Sequence, residues 1–316
     1  MGQPFPFKEY TLPFEDWIDD FVNDWLVPNF GEFFRDVKVP IETLYDFLEE
    51  DILLWLPPIA FVIILGIIAW LSAGWRVALF SLGGMLLIGF MGYWEHTMQT
   101  LAMVLTAVAF CVLIGVPVGI VAARSDRFAI VTRPLLDMMQ TIPAFVYLVP
   151  IVMLFGIGPV PGVIATIIFA LPPIIRLTNL GIRQVDPELI EASYAFGSTS
   201  MQVLWNVQIP LALRTIMAGL NQTLMLALSM VVIAALIGGG GLGEDVRVAL
   251  GRIKIGMGLT SGFSIVILAI ILDRITQSLA EPDSSKHAKP LRSLLGLAVM
   301  FIPPKILLND KYEKRG

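Results

Sequence analysis

Between residues 186 and 210 stands a run of side chains whose order points to a docking element. Asp186 followed by Pro187 predicts a helix start, with a side-chain acceptor at the N-cap and a proline whose missing N–H would be unpaired there anyway. Leu189, Ile190, Ala192, Ala195 and Phe196 mark a short apolar stripe, and Gly197 ends it. Thr199 with Gln202 resembles a capping box opening a second helix, which carries Met201, Val203, Leu204 and Val207 and is expected to break at Pro210. An amphipathic helix–glycine–helix of this kind either rests on lipid headgroups as an ordinary loop or inserts into a partner's groove. It offers a face for contact and no reactive group.

Other residues with chemical potential do not assemble into a reaction centre. Gly238, Gly240 and Gly243 spell the dinucleotide fingerprint, but that reading needs a strand before the glycines and a helix after them. Here a long apolar run precedes them, so a flexible loop is expected instead. No G-x-x-x-x-G-K-[ST] phosphate loop occurs, so any ATP must be hydrolysed on another polypeptide. Cys111 stands alone inside an apolar run and reads as a small packing residue. His96 and His287 are too far apart to suggest a metal site, and no nucleophile with a base is visible. No catalytic residue, no metal ligand and no cofactor on this chain are therefore expected.

These residues must be positioned by membrane helices. Hydrophobic residues make up 56% of the chain and charged residues 15%, with mean hydropathy +0.79, well outside the range of soluble domains. Seven spans can be drawn, at 52–71, 77–93, 101–123, 135–155, 160–178, 215–237 and 262–279, each near the ~20 residues that cross a bilayer. The fifth is the weakest, being interrupted by Pro172-Pro173 and Arg176; the sixth is the cleanest.

Lys and Arg set the orientation. Arg124, Arg127 and Arg133, then Arg176, Arg183 and Arg214, then the basic C-terminal tail all fall on one side of a seven-span chain, which is the cytoplasm. Arg247, Arg252 and Lys254 dissent. The first fifty-one residues lie outside and hold thirteen Asp or Glu against Lys8, Arg35 and Lys38. Within them Phe14, Trp17, Ile18, Phe21, Val22, Trp25 and Leu26 repeat at helical spacing, with acidic residues between, and a second such stretch starts at Ile41. An amphipathic helix on the outer membrane surface or packed on the bundle is expected, or a mere spacer. Residues 294–302 are apolar but too short to span, and are expected at the interface.

The docking segment carries a family resemblance. Glu191-Ala192-Ser193, Gly197, then Val207, Ile209 and Pro210 keep every spacing of the motif found before the penultimate span of ATP-binding-cassette importer permeases, with conservative departures at Ser193, Val207 and Ile209. The stretches 139–147, 176–184, 228–238 and 273–277 look like the glycine betaine/proline betaine permeases, so the resemblance covers roughly 94–278. It implies an all-α integral membrane protein of about seven transmembrane helices around a five-helix type I importer core. The expected organisation is an external acidic tail (1–51), two N-terminal membrane helices (52–94), the permease core (95–281, docking segment near 186–208) and a cytoplasmic basic tail (282–316).

The resemblance also implies a complex of two permeases, most simply a homodimer, with two ATPase subunits that carry the ATP and magnesium. An external substrate-binding protein would feed it; lipid surrounds it, and nucleic acid is no partner. The setting is the bacterial cytoplasmic membrane. Residues 191–197 would be the coupling contact with the ATPase. Polar residues inside spans four and six, Tyr147, Asn221 and Ser229 among them, are candidates for the translocation path; interhelical hydrogen bonding is the plainer role. A neutral wall suits a zwitterion with a quaternary ammonium, since tight binding would slow release. Permeases for another small zwitterion or amino acid, or an ion-coupled secondary transporter, remain as alternatives. The latter usually needs ionisable residues deep in the bilayer, whereas Asp137, Arg176, Asp273 and Arg274 fall near span ends.

Overall fold

The computed structural model describes residues 13–280, and every regular element among them is helical. The expectations for 282–316, the short apolar stretch at 294–302 included, lie outside the described residues. The seven predicted stretches all fall on helix, but they are not seven straight spans.

The N-terminal segment forms one unbroken helical run, α1 (Phe14–Asp20) and α2 (Val27–Asp46) joined and extended by wider π-helical turns at Phe21–Leu26 and Phe47–Leu54. The sequence gives a reason for those turns. A proline lacks the N–H of the ladder and its ring crowds the carbonyl four residues back, and an i→i+5 turn relieves the crowding. Pro28 follows the first π-helical turn and Pro57-Pro58 follow the second. Ile41 and Tyr45 are buried, and Phe34 stacks edge-on against Phe155 at 5.6 Å, so the run packs on the bundle.

Pro57 then holds an extended backbone (ψ 136°), as the residue before a proline must, and the chain turns by 104° into α3 (Pro58–Ala73). The first span therefore begins at Pro58, and residues 52–54 belong to the N-terminal helical run. Gly74, at φ +90°, reverses the chain into α4 (Trp75–Phe90), and α3 and α4 make a hairpin of two 16-residue helices.

The core is a trio of long helices: α5 (Trp94–Arg124), α8 (Pro159–Arg183) and α11 (Ile209–Ala234). Lipid offers no hydrophobic drive for helix association, so close contact rests on small residues. Gly115 and Gly119 of α5 face Ile174 and Thr178 of α8, where a Cβ would come within 2.3 and 2.5 Å. Gly181 of α8 faces Ala212 and Thr215 of α11, and Gly219 of α11 lies over the backbone at Pro173. These contacts explain why α8 is not weakened by Pro172-Pro173. Both prolines are buried between α5 and α11, and packing keeps the helix continuous where local preference would break it. Cys111 is fully buried here, its Sγ 3.7 Å from the Ile167 carbonyl, in the packing role expected of it.

Span four is a bent pair. Ile142 is extended (ψ 128°) before Pro143, and α6 (Asp126–Thr141) meets α7 (Ala144–Phe155) at 98°. Beyond α11, α12 (Gly241–Gly251) and α13 (Ile255–Ala280) complete the bundle. Among the described residues four helices are long and apolar enough to cross a membrane, six if each bent pair is one span, and α4 is a shorter apolar helix.

Gly238–Gly243 is not the flexible loop that the sequence suggested. Gly238 closes the preceding helix in the left-handed conformation (φ +84°). A Cβ on Gly243 would lie 2.3 Å from the Val231 carbonyl oxygen. Side chains of α5 cap α12 across the gap: Gly241 N–H donates to Gln99 Oε1 (3.2 Å) and Leu242 N–H to Thr100 Oγ1 (2.9 Å). The glycines allow a fixed close approach.

Candidate functional site

The segment after α8 is built to stand clear of the bundle. Asp186 Oδ1 accepts from the Glu188 N–H at 3.0 Å and Pro187 takes the first helical position, opening α9 (Pro187–Ala195) as expected. At its far end Gly197, at φ +83°, donates to the Tyr194 carbonyl (2.9 Å), and Ser198 N–H donates to the Ser193 carbonyl (3.1 Å). This is a Schellman closure, which satisfies the last carbonyls and needs glycine at the left-handed position. The predicted capping box is present: Gln202 Oε1 accepts from the Thr199 N–H (2.8 Å), and the Gln202 N–H donates to Thr199 Oγ1 (3.4 Å).

The second half departs from expectation. The helix does not break at Pro210. α10 (Ser200–Val203) runs through a π-helical turn, Leu204–Gln208, straight into α11, so one helix extends over Ser200–Ile237. The wider turn stands immediately before Pro210 and accommodates its ring, as at the two earlier prolines.

The motif residues divide by surroundings. No residue of α9 is buried, and Glu191, Ala192 and Gly197 are exposed. Phe196 is 91% exposed, with Leu189 and Tyr194 also bare. Ser193 is half-buried, its hydroxyl donating to the Leu189 carbonyl (2.9 Å). Val207 is half-buried, Ile209 is buried beside Val203 and Leu204, and Pro210 is exposed. One half of the motif is thus a face, the other a root. At the end of α8, just before this segment, Arg183 ties α8 to α5 and α6 by donating to the Ala122 carbonyl (2.8 Å) and Asn179 Oδ1 (2.8 Å) and by pairing with Asp126 (2.8 Å). A hollow of about 260 Å³ lies under α9, bordered by Arg124, Ile182, Tyr194 and Gln208.

The three path candidates are not joined by hydrogen bonds to one another. Tyr147 donates to the Met139 carbonyl (2.6 Å) across the α6–α7 bend. Asn221 Nδ2 donates to Asp273 Oδ1 (3.0 Å), and Asn221 Oδ1 accepts from Thr276 (2.8 Å), a bridge from α11 to α13. Ser229 is exposed and donates to the Met225 carbonyl (2.9 Å).

Sequence reasoning missed two polar links. Arg176 pairs with Asp137 at 2.6 Å, tying α8 to α6. His96 Nδ1 donates to Asp245 Oδ2 at 2.5 Å, tying the start of α5 to α12, and Asp245 is nearly buried. Beside it Arg247 pairs with Glu244, which holds that carboxyl below its usual range. Arg247, one of the cations that dissented from the charge rule, is therefore offset by a local carboxylate. The available signal was the i,i+3 spacing of Glu244 and Arg247.

The described residues thus form a bundle of membrane-length helices from which one short exposed helix, α9, stands out. The sequence profile of the family described as "Binding-protein-dependent transport system inner membrane component" matches residues 115–281. The chain is 52% identical over 281 residues to the glycine betaine/proline betaine transport system permease protein ProW of Escherichia coli (strain K12), covering 89% of this chain and 79% of that one. It is 48% identical over 275 residues to the glycine betaine transport system permease protein OpuAB of Bacillus subtilis (strain 168), covering 87% and 97%. It is 47% identical over 280 residues to the glycine betaine/carnitine transport permease protein GbuB of Listeria monocytogenes, covering 87% and 98%. Among solved structures, an inward-facing MetNI methionine ABC transporter shares the fold, with TM-score 0.52, 23% identity, and coverage of 64% of this chain and 95% of that one. The chain belongs to the inner-membrane components of binding-protein-dependent transport systems.

Proposed function

We propose that this chain is the permease subunit of an ATP-driven importer that moves glycine betaine/proline betaine-type osmoprotectants across the cytoplasmic membrane. The observation that carries the docking part is the bare face of α9, with Phe196 91% exposed, continuous through a single glycine closure with the helix Ser200–Ile237. An exposed aromatic, with exposed Leu189 seven residues before it, is the anchor that a partner's groove takes up. The partner is an ATPase subunit that binds ATP and magnesium, and contact runs over 191–197. The substrate class follows from the relatives named for glycine betaine, at about half identity over most of the chain. An external binding protein delivers the solute, and a second copy of this chain completes the cavity.

The N-terminus lies outside and the C-terminus in the cytoplasm, which places α9 and Arg124, Arg127 and Arg133 inside. ATP binding closes the ATPase pair, draws on α9 and turns the cavity outward; hydrolysis resets it. Tyr147, Asn221 and Ser229 remain candidates for the path.

The test is uptake of radiolabelled glycine betaine by the assembled transporter in vesicles, alongside ATP hydrolysis. Glu191→Lys and Gly197→Asp are expected to leave the bundle folded and to abolish uptake. Normal uptake by both variants would sink the docking assignment. Uptake that collapses with an uncoupler while ATP stays high would sink the ATP-driven reading. Displacement of the label by glycine betaine and proline betaine, but not by unrelated amino acids, checks the substrate class.

A further inference from the structure

The α3–α4 hairpin carries a groove that the transport reading leaves unused. It holds about 420 Å³, within the range of small-molecule sites. Its lining comes from one stripe on each helix: Ile63, Gly66, Ile67 and Trp70 on α3, then Trp75, Ala78, Leu79 and Leu82 on α4. Both stripes follow the i, i+3, i+4, i+7 rule of a single helix face. Gly66 and Ala78 are the small members of the two stripes; Gly66 brings the helices together, since a Cβ there would lie 2.7 Å from Leu82. No polar side chain lines the groove.

One end of it is different. Trp70 and Trp75 flank the Gly74 turn and are 61% and 64% exposed. The next residue, Arg76, places its guanidinium carbon 5.7 Å from the centre of the Trp75 ring. Among the described residues Arg76 makes no hydrogen bond and no ion pair, unlike Arg176, Arg183 and Arg247. Tryptophan rings settle at headgroup level, and an unpaired guanidinium at that level is complementary to phosphate. The hairpin is also short: 16 residues rise about 24 Å against a hydrocarbon thickness of about 30 Å, so headgroups are drawn toward its turn.

The geometry points to a specific site for an anionic phospholipid, one acyl chain lying along the Gly66–Ala78 groove and the headgroup phosphate held by Arg76 over Trp75. A helix from a second copy would also find small residues there, but it would leave the Arg76 charge without a partner unless it brought a carboxylate to the same level. A phosphate meets both requirements at once. With the N-terminus outside, the site belongs to the inner leaflet. It does not depend on which solute is carried.

The experiment is native mass spectrometry of the full transporter, released from mixed phosphatidylglycerol and phosphatidylcholine nanodiscs. The wild type is expected to retain phosphatidylglycerol preferentially. Arg76→Gln is expected to lower that preference about fivefold, the scale of one cation at a membrane surface, and Arg76→Lys to keep most of it. Ala78→Leu, which fills the groove, is expected to reduce retention of both lipids. Arg76 is exposed, so its variants test the headgroup contact without disturbing the fold. Equal retention of the two lipids by wild type and Arg76→Gln overturns the site. So does a crosslink between two copies through Leu79→Cys, which would put protein in the groove.

Discussion

Two glycines separate what a single residue can do here. At Gly197 no atom lies within 4 Å of an added Cβ, so substitution meets only the cost of a left-handed backbone. Gly197→Ala is expected to cost about 1 kcal/mol locally, to leave the melting temperature of the purified bundle nearly unchanged, and to impair uptake. Gly119 is the opposite case, because a Cβ would lie 2.5 Å from Thr178 Cβ and 2.9 Å from a backbone oxygen that cannot step aside. Gly119→Ala should force α5 from α8 and destabilise by about 1–3 kcal/mol, read as a clear fall in melting temperature. Glu244 supplies a pH dependence. Arg247 lowers its pKa from the ordinary 4.5, so the pair's contribution is complete above that value and lost as pH falls through the lowered one. The pair is exposed and screened by solvent, so its contribution to stability is small. Glu244→Gln should therefore melt almost normally at neutral pH while losing this part of the acid-side decline.

Helix continuity is the property that matters at the scale of elements. The π-helical turn at Leu204–Gln208 lets α10 and α11 stay one helix despite Pro210. Pro210→Ala removes the reason for the wider turn. The helix is then expected to tighten, rotating α9 by roughly 100° per residue taken up relative to the bundle. Such a variant should retain its ATPase partner on purification and lose most of its uptake. The caps around α9 were readable in the sequence because each is a local contract: Asp186 with Pro187, Thr199 with Gln202, and Gly197 between them. Continuity through Pro210 and Pro172-Pro173 was not readable. In both places a proline argues for a break; at Pro173 the deciding contact is distant, Gly219 lying over it, and at Pro210 the wider turn at Leu204–Gln208 takes up the ring. The same limit hid His96 and Asp245, which are 149 residues apart and meet only once α12 folds back against α5. The bends at Pro57 and Pro143 lay in the open, because the restriction a proline places on its neighbour is local; Pro143 is a kink to be expected in span four, whereas apolarity alone ran straight across Pro57.

At the scale of the whole molecule, sidedness can be checked with little interference. Cys111 is fully buried, so the native chain gives a quiet background for cysteine labelling. Trp17→Cys and Phe196→Cys, both at exposed positions, should react with impermeant maleimide from opposite faces of the membrane, the first from outside. Labelling of both from one face would reverse or break the proposed orientation. The helix Ser200–Ile237 has a further consequence for the molecule as a machine. Its 38 residues measure about 57 Å, rooted beside α9 at one end and closed by Gly238 at the other. A stiff rod of that length works as a lever. Tilted by about 5° around one end, it carries the other through about 5 Å, roughly the pitch of a helical turn. A nudge too small to disturb the docking surface thus arrives at the opposite face as a displacement large enough to exchange one set of packing neighbours for the next.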